Sequence, residues 1–418
     1  MTDTLDEPQT LADGAEDAPA YPVKRTCPYR MPPGYEELRE KGPISRVTLW
    51  NGRTAWLVTG NDLGRRLFPD ARLSSDVLDP RFPLLAPRIE AQRQQAAAPP
   101  LVGVDDPVHA RQRRMVLAGL SFGIRQINAL RPEIQKYADD LLDTMLAKGP
   151  GVTVDLLTEY ALPMPSAVIC MLLGVPYEDH HYFDERSRHV LSSSGEEQAA
   201  QAQQAFTEIL AYLDDLIVRK QAEPGDTLLD ELIARQLEEG KVDRQELAMI
   251  ATVLLVSGHE TTSNMIALST MALLADPDQL AALRADESLM PRAVDELMRF
   301  SSIGDMLMRV AKEDIEIEGH LIRAGDGVIL STMLMNRDPG AFERPDELDI
   351  RRPAGRHVAF GYGIHQCIGQ NLARAEMEIA LATLFRRVPT LKLAVPAEQV
   401  PVNAPFVLQG VSELPVTW

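Results

Sequence analysis

Cysteine is scarce in this chain, with only three residues, Cys27, Cys170 and Cys367, among 418. So few thiols exclude a disulfide framework and are typical of a protein kept in a reducing compartment. No second cysteine or paired histidine stands with Cys367 at the spacing of a zinc site.

Long hydrophobic runs and a basic N-terminal segment are also missing. The longest apolar run lies near residues 247–256, far short of the ~20 residues that a membrane span needs. Residues 1–20 carry six acidic side chains and no basic one, whereas a secretory signal needs a basic start and an apolar run. We therefore expect a cytoplasmic protein with no membrane contact, and we expect residues 1–20 to be a disordered acidic segment.

Basic residues are outnumbered, because 42 Lys and Arg stand against 61 Asp and Glu for a net charge of −19. An acidic chain is a poor candidate for nucleic acid, whose binding depends on neutralising phosphates with Lys and Arg. The hydrophobic content of 45% is enough for a large core. Length alone would suggest two or three domains.

Most of the chain shows helical periodicity, interrupted by three small β-prone units. An Asn-Gly pair joins two β-prone runs over residues 47–58, which is a strong hairpin signal. Residues 314–330 alternate and turn at glycines, and residues 391–418 contain the third unit. The helices are predicted over residues 132–148, 155–174, 200–222, 227–238, 244–275, 278–301 and 368–387.

Two polar segments, residues 90–100 and 192–204, have the composition of flexible loops. Long loops of this kind are often binding loops or lids. A plain surface linker has the same composition, and the sequence leaves both interpretations open.

The longest predicted helix covers residues 244–275, begins after a capping-box pattern and ends before an Asp-Pro pair. About 30 helical residues span about 45 Å. Its middle reads VLLVSGHETTSN and places Glu260 and Thr261 beside Gly258 in an apolar neighbourhood. A glycine, an acid and an alcohol are unfavourable in the middle of an apolar helix. They indicate either a functional site or a close helix crossing at Gly258 with a surface glutamate.

Cys367 lies in FGYGIHQCIG, residues 360–369, directly before a predicted helix. A lone cysteine is most often a small core residue. The surrounding glycines, however, permit positive φ and a close approach to a bulky object, and a helix N-terminus stabilises a thiolate. The residues leave open a core cysteine, a nucleophile and a single axial ligand to a metal held by another group.

This stretch resembles the haem-binding loop of the cytochrome P450 superfamily, the haem-thiolate monooxygenases. The family pattern is Phe-x-x-Gly-x-His/Arg-x-Cys-x-Gly, and residues 360–369 match it in register. Four further motifs of the family are present: Gly258, Glu260, Thr261 and Thr262 in SGHETT, Glu296 and Arg299 in ELMR, Arg352 in the segment that follows, and His109 and Arg113 in DDPVHARQRR. Ser257 departs from the family pattern, which usually has alanine there.

The resemblance covers nearly the whole chain from about residue 20 and is strongest to soluble actinobacterial members. It implies a mainly α fold with small β-sheets, in which the haem lies between the long central helix and the Cys-loop helix. It also implies a single haem-thiolate monooxygenase domain over residues 21–418, acting as a monomer, and this overrides the domain count suggested by length.

By the same resemblance, the cofactor is haem b and O2 is the co-substrate. Cys367 would be the axial iron ligand, and Phe360, Gly361 and Gly369 would form the loop that lies under the macrocycle. Glu296, Arg299 and Arg352 would form a buried triad that supports this loop. The haem carboxylates would be bound by His109, Arg113, Arg309 and His365.

The resemblance further implies hydroxylation of an unactivated C–H bond, with Gly258 leaving room for O2, Thr261 hydrogen-bonding to it and Glu260 relaying protons. Because no flavin or iron–sulfur motif is present, electrons would come from a ferredoxin and its reductase with NAD(P)H. The substrate would be a hydrophobic small molecule such as a polyketide, terpenoid, steroid-like compound or xenobiotic. The pocket residues implied by family position are Val253, Val256, Ser257, Leu307, Phe406 and Val407.

Two other functions remain to be weighed. A peroxide-driven haem-thiolate peroxygenase is disfavoured by Glu260 and Thr261, since that branch of the family usually replaces the pair. A non-catalytic haem-binding sensor would need a second protein ligand on the iron. His259 is the nearest candidate, and its spacing from Thr261 points it away.

Overall fold

The structure, a computed structural model, describes residues 18–23, 25, 27, 30–85, 99–118, 123–191, 195–403 and 408–418. Most of the predicted 1–20 segment, residues 90–98 of the first polar loop and residues 192–194 of the second lie outside this range. The pocket residues Phe406 and Val407 also lie outside it.

The chain is mainly helical, as predicted. The α-helices are Tyr35–Glu40 (α1), Asn61–Leu67 (α2), Val108–Ala118 (α3), Ile124–Leu146 (α4), Pro163–Leu173 (α5), His180–Leu191 (α6), Gly195–Ala222 (α7), Leu228–Leu232 (α8), Arg244–Ala275 (α9), Pro277–Ala285 (α10), Met290–Ser301 (α11), Thr332–Met335 (α12) and Gln370–Arg387 (α13). None of the helices in the described part of the chain combines the length and the apolarity that a membrane crossing requires.

Twelve short strands form one larger sheet and three small ones within the described residues. The strands are Ile44–Thr48 (β1), Thr54–Val58 (β2), Leu73–Ser74 (β3), Val154–Asp155 (β4), Met306–Ala311 (β5), Ile315–Ile317 (β6), His320–Ile322 (β7), Gly327–Ser331 (β8), Lys392–Leu393 (β9), Val402–Asn403 (β10), Gly410–Val411 (β11) and Pro415–Thr417 (β12). The larger sheet has the order β1-β2-β8-β5-β3, and only β2 and β8 pair in parallel. The small sheets are β4-β12-β9, β10-β11 and β6-β7.

The central helix α9 has the predicted length and the predicted cap. The Asp243 carboxylate accepts a hydrogen bond from the backbone N–H of Glu246 at 2.7 Å, which satisfies one of the free donors at the helix start. Helices α5, α7 and α13 pack around α9, and the main hydrophobic core draws residues from Leu101 to Val416. The helix therefore runs through the middle of the protein with both ends fixed.

Two predicted helices are interrupted. The helix expected over residues 155–174 is a π-helical turn, Leu157–Ala161, followed by α5, because Pro163 has no N–H with which to continue the first turn. The helix expected over residues 278–301 is two helices separated at Asp286, whose carboxylate accepts from the backbone N–H of Ser288 at 3.0 Å. A proline and a side-chain cap thus set helix boundaries that the apolar periodicity of the sequence does not show.

The β units are confirmed with two changes. The hairpin over residues 47–58 is present as β1 and β2, but its loop spans five residues and uses Gly52 at φ 79°. The second unit does not stand alone: β6 and β7 form a hairpin, while β8 leaves it to pair with β2 and β5.

Candidate active site

One face of α9 is unusually open for a helix in the middle of a protein. Ser257 is exposed, and Val253, Leu254, Gly258 and Thr261 are partly exposed, although most of the neighbouring α9 side chains are buried. These positions recur at the spacing of one helix face. This face therefore borders a hollow inside the fold.

Gly258 lies where α9 and α5 cross. A Cβ added there would be 3.2 Å from Cδ1 of Ile169, so the Ile169 side chain of α5 packs directly against the α9 backbone at Gly258. Glu260 is nevertheless buried. A close crossing is present, but the alternative of a surface glutamate is wrong, and the buried acid requires its own explanation.

The Glu260 carboxylate is only half satisfied. Its Oε1 accepts from Nδ2 of Asn264 at 3.1 Å, while Oε2 has no hydrogen-bond partner among the described residues. The next residue in the chain is Thr261, whose hydroxyl donates to the backbone carbonyl of Ser257, one turn earlier in the helix, at 2.6 Å. The hydroxyl oxygen of Thr261 is therefore free to accept a hydrogen bond. An acid with a free oxygen and an oriented alcohol therefore stand side by side next to the hollow.

The Cys loop turns sharply before α13. Gly361 and Gly363 have positive φ of 68° and 79°, and a Cβ on Gly363 would come within 3.2 Å of the backbone of Pro69. The backbone N–H of Cys367 donates to the carbonyl of Phe360 at 2.9 Å and closes the loop. The glycines are thus required by the turn and by close packing.

The Cys367 thiol lines an interior space rather than the outer surface. The residue is exposed, yet surrounding protein makes burial the largest influence on its pKa, which it raises. The N–H groups of Gly369 and Gln370 and the charges of Arg113 and Arg374 lower this pKa without reversing the direction. The helix start alone, contrary to the sequence-based expectation, does not activate the thiol.

Two cations lie beside this loop, the buried Arg309 and the partly buried Arg113. Burial lowers the pKa of Arg309 to about 10, and burial also lowers the pKa of Arg113, whose Nη1 donates to the carbonyl of Gln366 at 2.8 Å. No carboxylate of the described residues lies within ion-pair distance of either guanidinium. A cation that is partly or wholly removed from water without a negative partner is costly, so both are suited to an anionic ligand.

His109 and His365 stand together in the same region, with ring centroids 4.0 Å apart. The His365 ring contacts the hydroxyl of Ser75 at 3.0 Å and the carbonyl of Leu101 at 3.3 Å, and burial followed by the charge of Arg309 lowers its pKa to about 4. Both rings are therefore held in place, and His365 is neutral at pH 7.

The three residues of the predicted triad are in direct contact. Arg299 donates to Glu296 from Nε at 2.7 Å and from Nη2 at 2.8 Å, and Arg352 donates from Nε at 3.1 Å. All three are buried. The arginines also donate to backbone carbonyls between residues 343 and 347, so the triad fastens that segment to α11.

Asn336 links the triad to the Cys loop and was missed in the sequence. Its carbonyl accepts from Arg299 at 2.8 Å, and its side chain accepts from the backbone N–H of Val358 at 2.7 Å. It lies at the start of the segment MNRDPGAFERPDELDIRR, which resembles the family, but the resemblance there assigned a role only to Arg352. The only available signal was an asparagine at the end of an apolar run.

A buried acid on α13, Glu376, was also missed. Burial raises its pKa well above the usual range, and a hydrogen bond from Thr262 acts in the opposite direction. Thr262 follows Thr261 on α9, so this contact joins the Cys-loop helix to the acid–alcohol segment. A glutamate inside the apolar stretch AEMEIALATLF was the signal that could have found it.

The predicted pocket residues are not all equivalent. Val253 and Ser257 belong to the open face of α9, whereas Val256 is buried in the main core. Leu307 is partly buried on β5 and lies 3.4 Å from the position of a Cβ on Gly361, so it contacts the Cys loop. His259, the possible second ligand of the sensor hypothesis, lies 3.3 Å from Asp184 on α6.

Comparison with known proteins gives a consistent result. The cytochrome P450 family model matches residues 87–400. Pentalenic acid synthase of Streptomyces avermitilis is 54% identical over 96% of this chain and 97% of its own length, and vitamin D3 dihydroxylase of Streptomyces griseolus is 50% identical over the whole of both chains. The solved structure of the mycinamicin VIII C21 methyl hydroxylase of Micromonospora griseorubida, bound to mycinamicin VIII, superposes with a TM-score of 0.88 at 41% identity and covers 96% of this chain and all of its own.

The chain belongs to the cytochrome P450 family. Within that family it is a monooxygenase of the actinobacterial type, with the fold that the sequence motifs predicted. The family implies a haem with a thiolate ligand and O2. The residues fit such a group: a thiol lines an interior space, and one buried and one partly buried guanidinium group, Arg309 and Arg113, lie beside it without carboxylate partners among the described residues.

Proposed function

We propose that this protein hydroxylates a hydrophobic small molecule of polyketide, terpenoid or steroid-like type, with O2 as oxidant and electrons from a ferredoxin. The observation that carries this proposal is the pairing of Thr261, on the open face of the central helix, with its buried neighbour Glu260, whose Oε2 has no hydrogen-bond partner among the described residues. Among the relatives are a pentalenic acid synthase, a vitamin D3 dihydroxylase and a mycinamicin VIII C21 methyl hydroxylase, and these names support a bulky apolar substrate. Val253, Ser257 and Leu307 contribute the described part of the pocket.

In this proposal Cys367 ligates the iron of haem b. The raised pKa of its thiol disfavours a free nucleophile, and the charge of a metal ion would provide what the helix start does not. Arg113 and Arg309 bind the haem carboxylates, with His109 and His365 completing the anchor. When bound, the haem supplies the activation of O2 for attack on an unactivated C–H bond.

The protein's own part of the chemistry is to move protons and exclude water. Oε2 of Glu260 takes a proton from solvent and delivers it towards Gly258, where O2 has room, while the oxygen of the Thr261 hydroxyl, whose own proton is donated to Ser257, accepts a hydrogen bond there. Asn264 holds the other oxygen of Glu260, so that the carboxylate keeps one free acceptor.

A ferredoxin and its NAD(P)H-dependent reductase supply the electrons. Of the basic residues around the Cys loop, Arg352 is buried in the triad and His357 is buried beside Asp295, so neither can meet a partner. Arg114 and Arg351 are exposed and provide the positive charge for an acidic ferredoxin. The chain acts as a monomer, and residues 21–418 form one domain.

The test replaces Cys367 with Ser in the haem-loaded protein. The wild type should give the ferrous–CO absorbance band typical of thiolate ligation and should convert a natural-product-like substrate with a surrogate ferredoxin, and Cys367→Ser should lose both. A wild type that turns over only with added peroxide would favour the peroxygenase. A protein that binds haem with a second side-chain ligand and never turns over would favour the sensor.

A further inference from the structure

A second group of metal-ligating side chains lies away from the Cys loop, at the start of α6. His180, His181 and Asp184 each offer one ligand atom, and these atoms all lie within 4.8 Å of one another. Nδ1 of His181 is 3.9 Å from Oδ2 of Asp184, and the two histidine rings have centroids 3.8 Å apart. Imidazole nitrogen and carboxylate oxygen are the donors that zinc takes together in proteins.

We propose that His180, His181 and Asp184 form a binding site for a divalent transition-metal ion of the Zn²⁺ type. Ligand distances of about 2.0–2.2 Å around zinc require donor atoms roughly 3.4 Å apart in a tetrahedron, so separations of up to 4.8 Å must contract by up to about 1.4 Å. The His181 side chain is 83% exposed and is free to make that movement. Three protein ligands leave the fourth position to water.

The orientation of Asp184 supports this assignment. Its Oδ1 accepts a hydrogen bond from the hydroxyl of Ser166 on α5 and lies 3.3 Å from Nε2 of His259 on α9. Its Oδ2 therefore faces His181. A ligating carboxylate whose other oxygen is held by neighbouring groups is the arrangement that metal sites use to fix their ligands.

The local charge also suits a cation. Burial, followed by the charges of Asp184 and Asp179, raises the pKa of Cys170 on α5 to about 12, so two carboxylates act on this region. Asp179 lies directly before His180 in the chain. Asp179 and Asp184 therefore contribute negative charge that favours a metal ion between the ligands, while Arg188 contributes positive charge near His259.

The same contacts connect the metal site to the central helix. Asp184 joins α6 to His259, and His259 precedes Glu260 in the chain. A metal ion on Oδ2 would fix the Asp184 carboxylate and, through it, the His259 ring. Metal binding at α6 would therefore reduce the mobility of the neighbouring acid–alcohol segment, Glu260 and Thr261. This link concerns the protein alone and does not depend on the proposed function.

The experiment titrates Zn²⁺ into the haem-loaded full-length protein, prepared without a polyhistidine tag, by calorimetry with metal analysis after dialysis. One ion per chain is expected. His181→Asn and Asp184→Asn should each weaken binding at least tenfold, and Ser166→Ala should weaken it about tenfold by releasing the carboxylate. His189→Asn, on the same helix two turns further along, is the matched control and should bind as the wild type does.

Equal Zn²⁺ affinity in the wild type and in His181→Asn, or no binding at all, would overturn the site. Because His181 is exposed, its replacement should not impair folding. Hydrogen exchange tests the link: Zn²⁺ should slow amide exchange both in α6 and around residues 255–262 of α9. Protection confined to α6 would refute the connection to the central helix.

Discussion

Replacing Glu296 with Gln should destabilise the protein strongly, because the carboxylate lies at the centre of a buried cluster. It accepts from two nitrogens of Arg299, from Nε of Arg352 and from the backbone N–H of Asp349. Glutamine keeps the shape but leaves two buried guanidinium groups without a negative partner. Breaking a buried ion pair in this way costs about 3–5 kcal/mol.

The expected change in melting temperature follows from the size of the chain. An unfolding entropy of about 2.1 cal/mol/K per residue gives about 0.9 kcal/mol/K for the whole protein, so Tm should fall by about 3–6 °C. Thermal unfolding followed by circular dichroism measures the shift, and guanidinium titration gives the free energy independently.

The chain offers a matched control for this measurement. Arg344 and Glu347 form a pair with the same spacing in the chain as Glu296 and Arg299, but both side chains are more than half exposed. Glu347→Gln should therefore cost less than about 0.5 kcal/mol and shift Tm by less than about 1 °C. Equal shifts in the two variants would refute the argument that burial makes the triad important.

Three further outcomes are expected. Thr261→Ala should lower the fraction of NAD(P)H converted to product about tenfold and release peroxide instead; unchanged coupling would contradict its role. Burial raises the pKa of Asp230, but hydrogen bonds from Lys220 and Thr227 outweigh it and hold this pKa at about 2. Above pH 5 the free energy of unfolding of the wild type should therefore exceed that of Asp230→Asn by about 2 kcal/mol. Since this pKa is depressed, the difference should shrink as pH falls from about 4 towards 2, and a difference independent of pH would argue against it. Gly363→Ala should cost about 1–2 kcal/mol in denaturant unfolding, because its φ is positive and Pro69 blocks the Cβ; a neutral result would contradict that geometry.

The sequence predicted the elements whose signals are local and strong. The central helix has its cap at Asp243 and its end at Ala275 as expected, and the hairpin around Asn51-Gly52 is present. It did not predict the helix breaks at Pro163 and Asp286, because the apolar periodicity continues through both. The missing N–H of Pro163 causes the first break, and the Asp286 side-chain cap causes the second. The pairing of β8 with β2 could not be predicted from the sequence, because strands that are far apart in the chain carry no local sequence signal of their pairing.

The same division holds for the site. Cys367, Glu260 and Thr261 were found because their residue types are anomalous in their surroundings and match a family pattern. Asn336 and Glu376 were not, because each acts through a contact with a distant segment that single positions do not reveal. The raised pKa of the Cys367 thiol was also unexpected, since burial outweighs the donors at the helix start, and burial is a property of the folded chain.

The parallel pairing of β2 with β8 has a consequence for synthesis on the ribosome. Trp56 on β2 donates to Asp326, which lies 270 residues later in the chain. At a synthesis rate of about 5–20 residues per second, the N-terminal hairpin waits about 14–54 s for the strand that completes its sheet. Throughout that interval β2 presents an unpaired edge, so the nascent chain is most open to misassociation early, long before the Cys loop emerges.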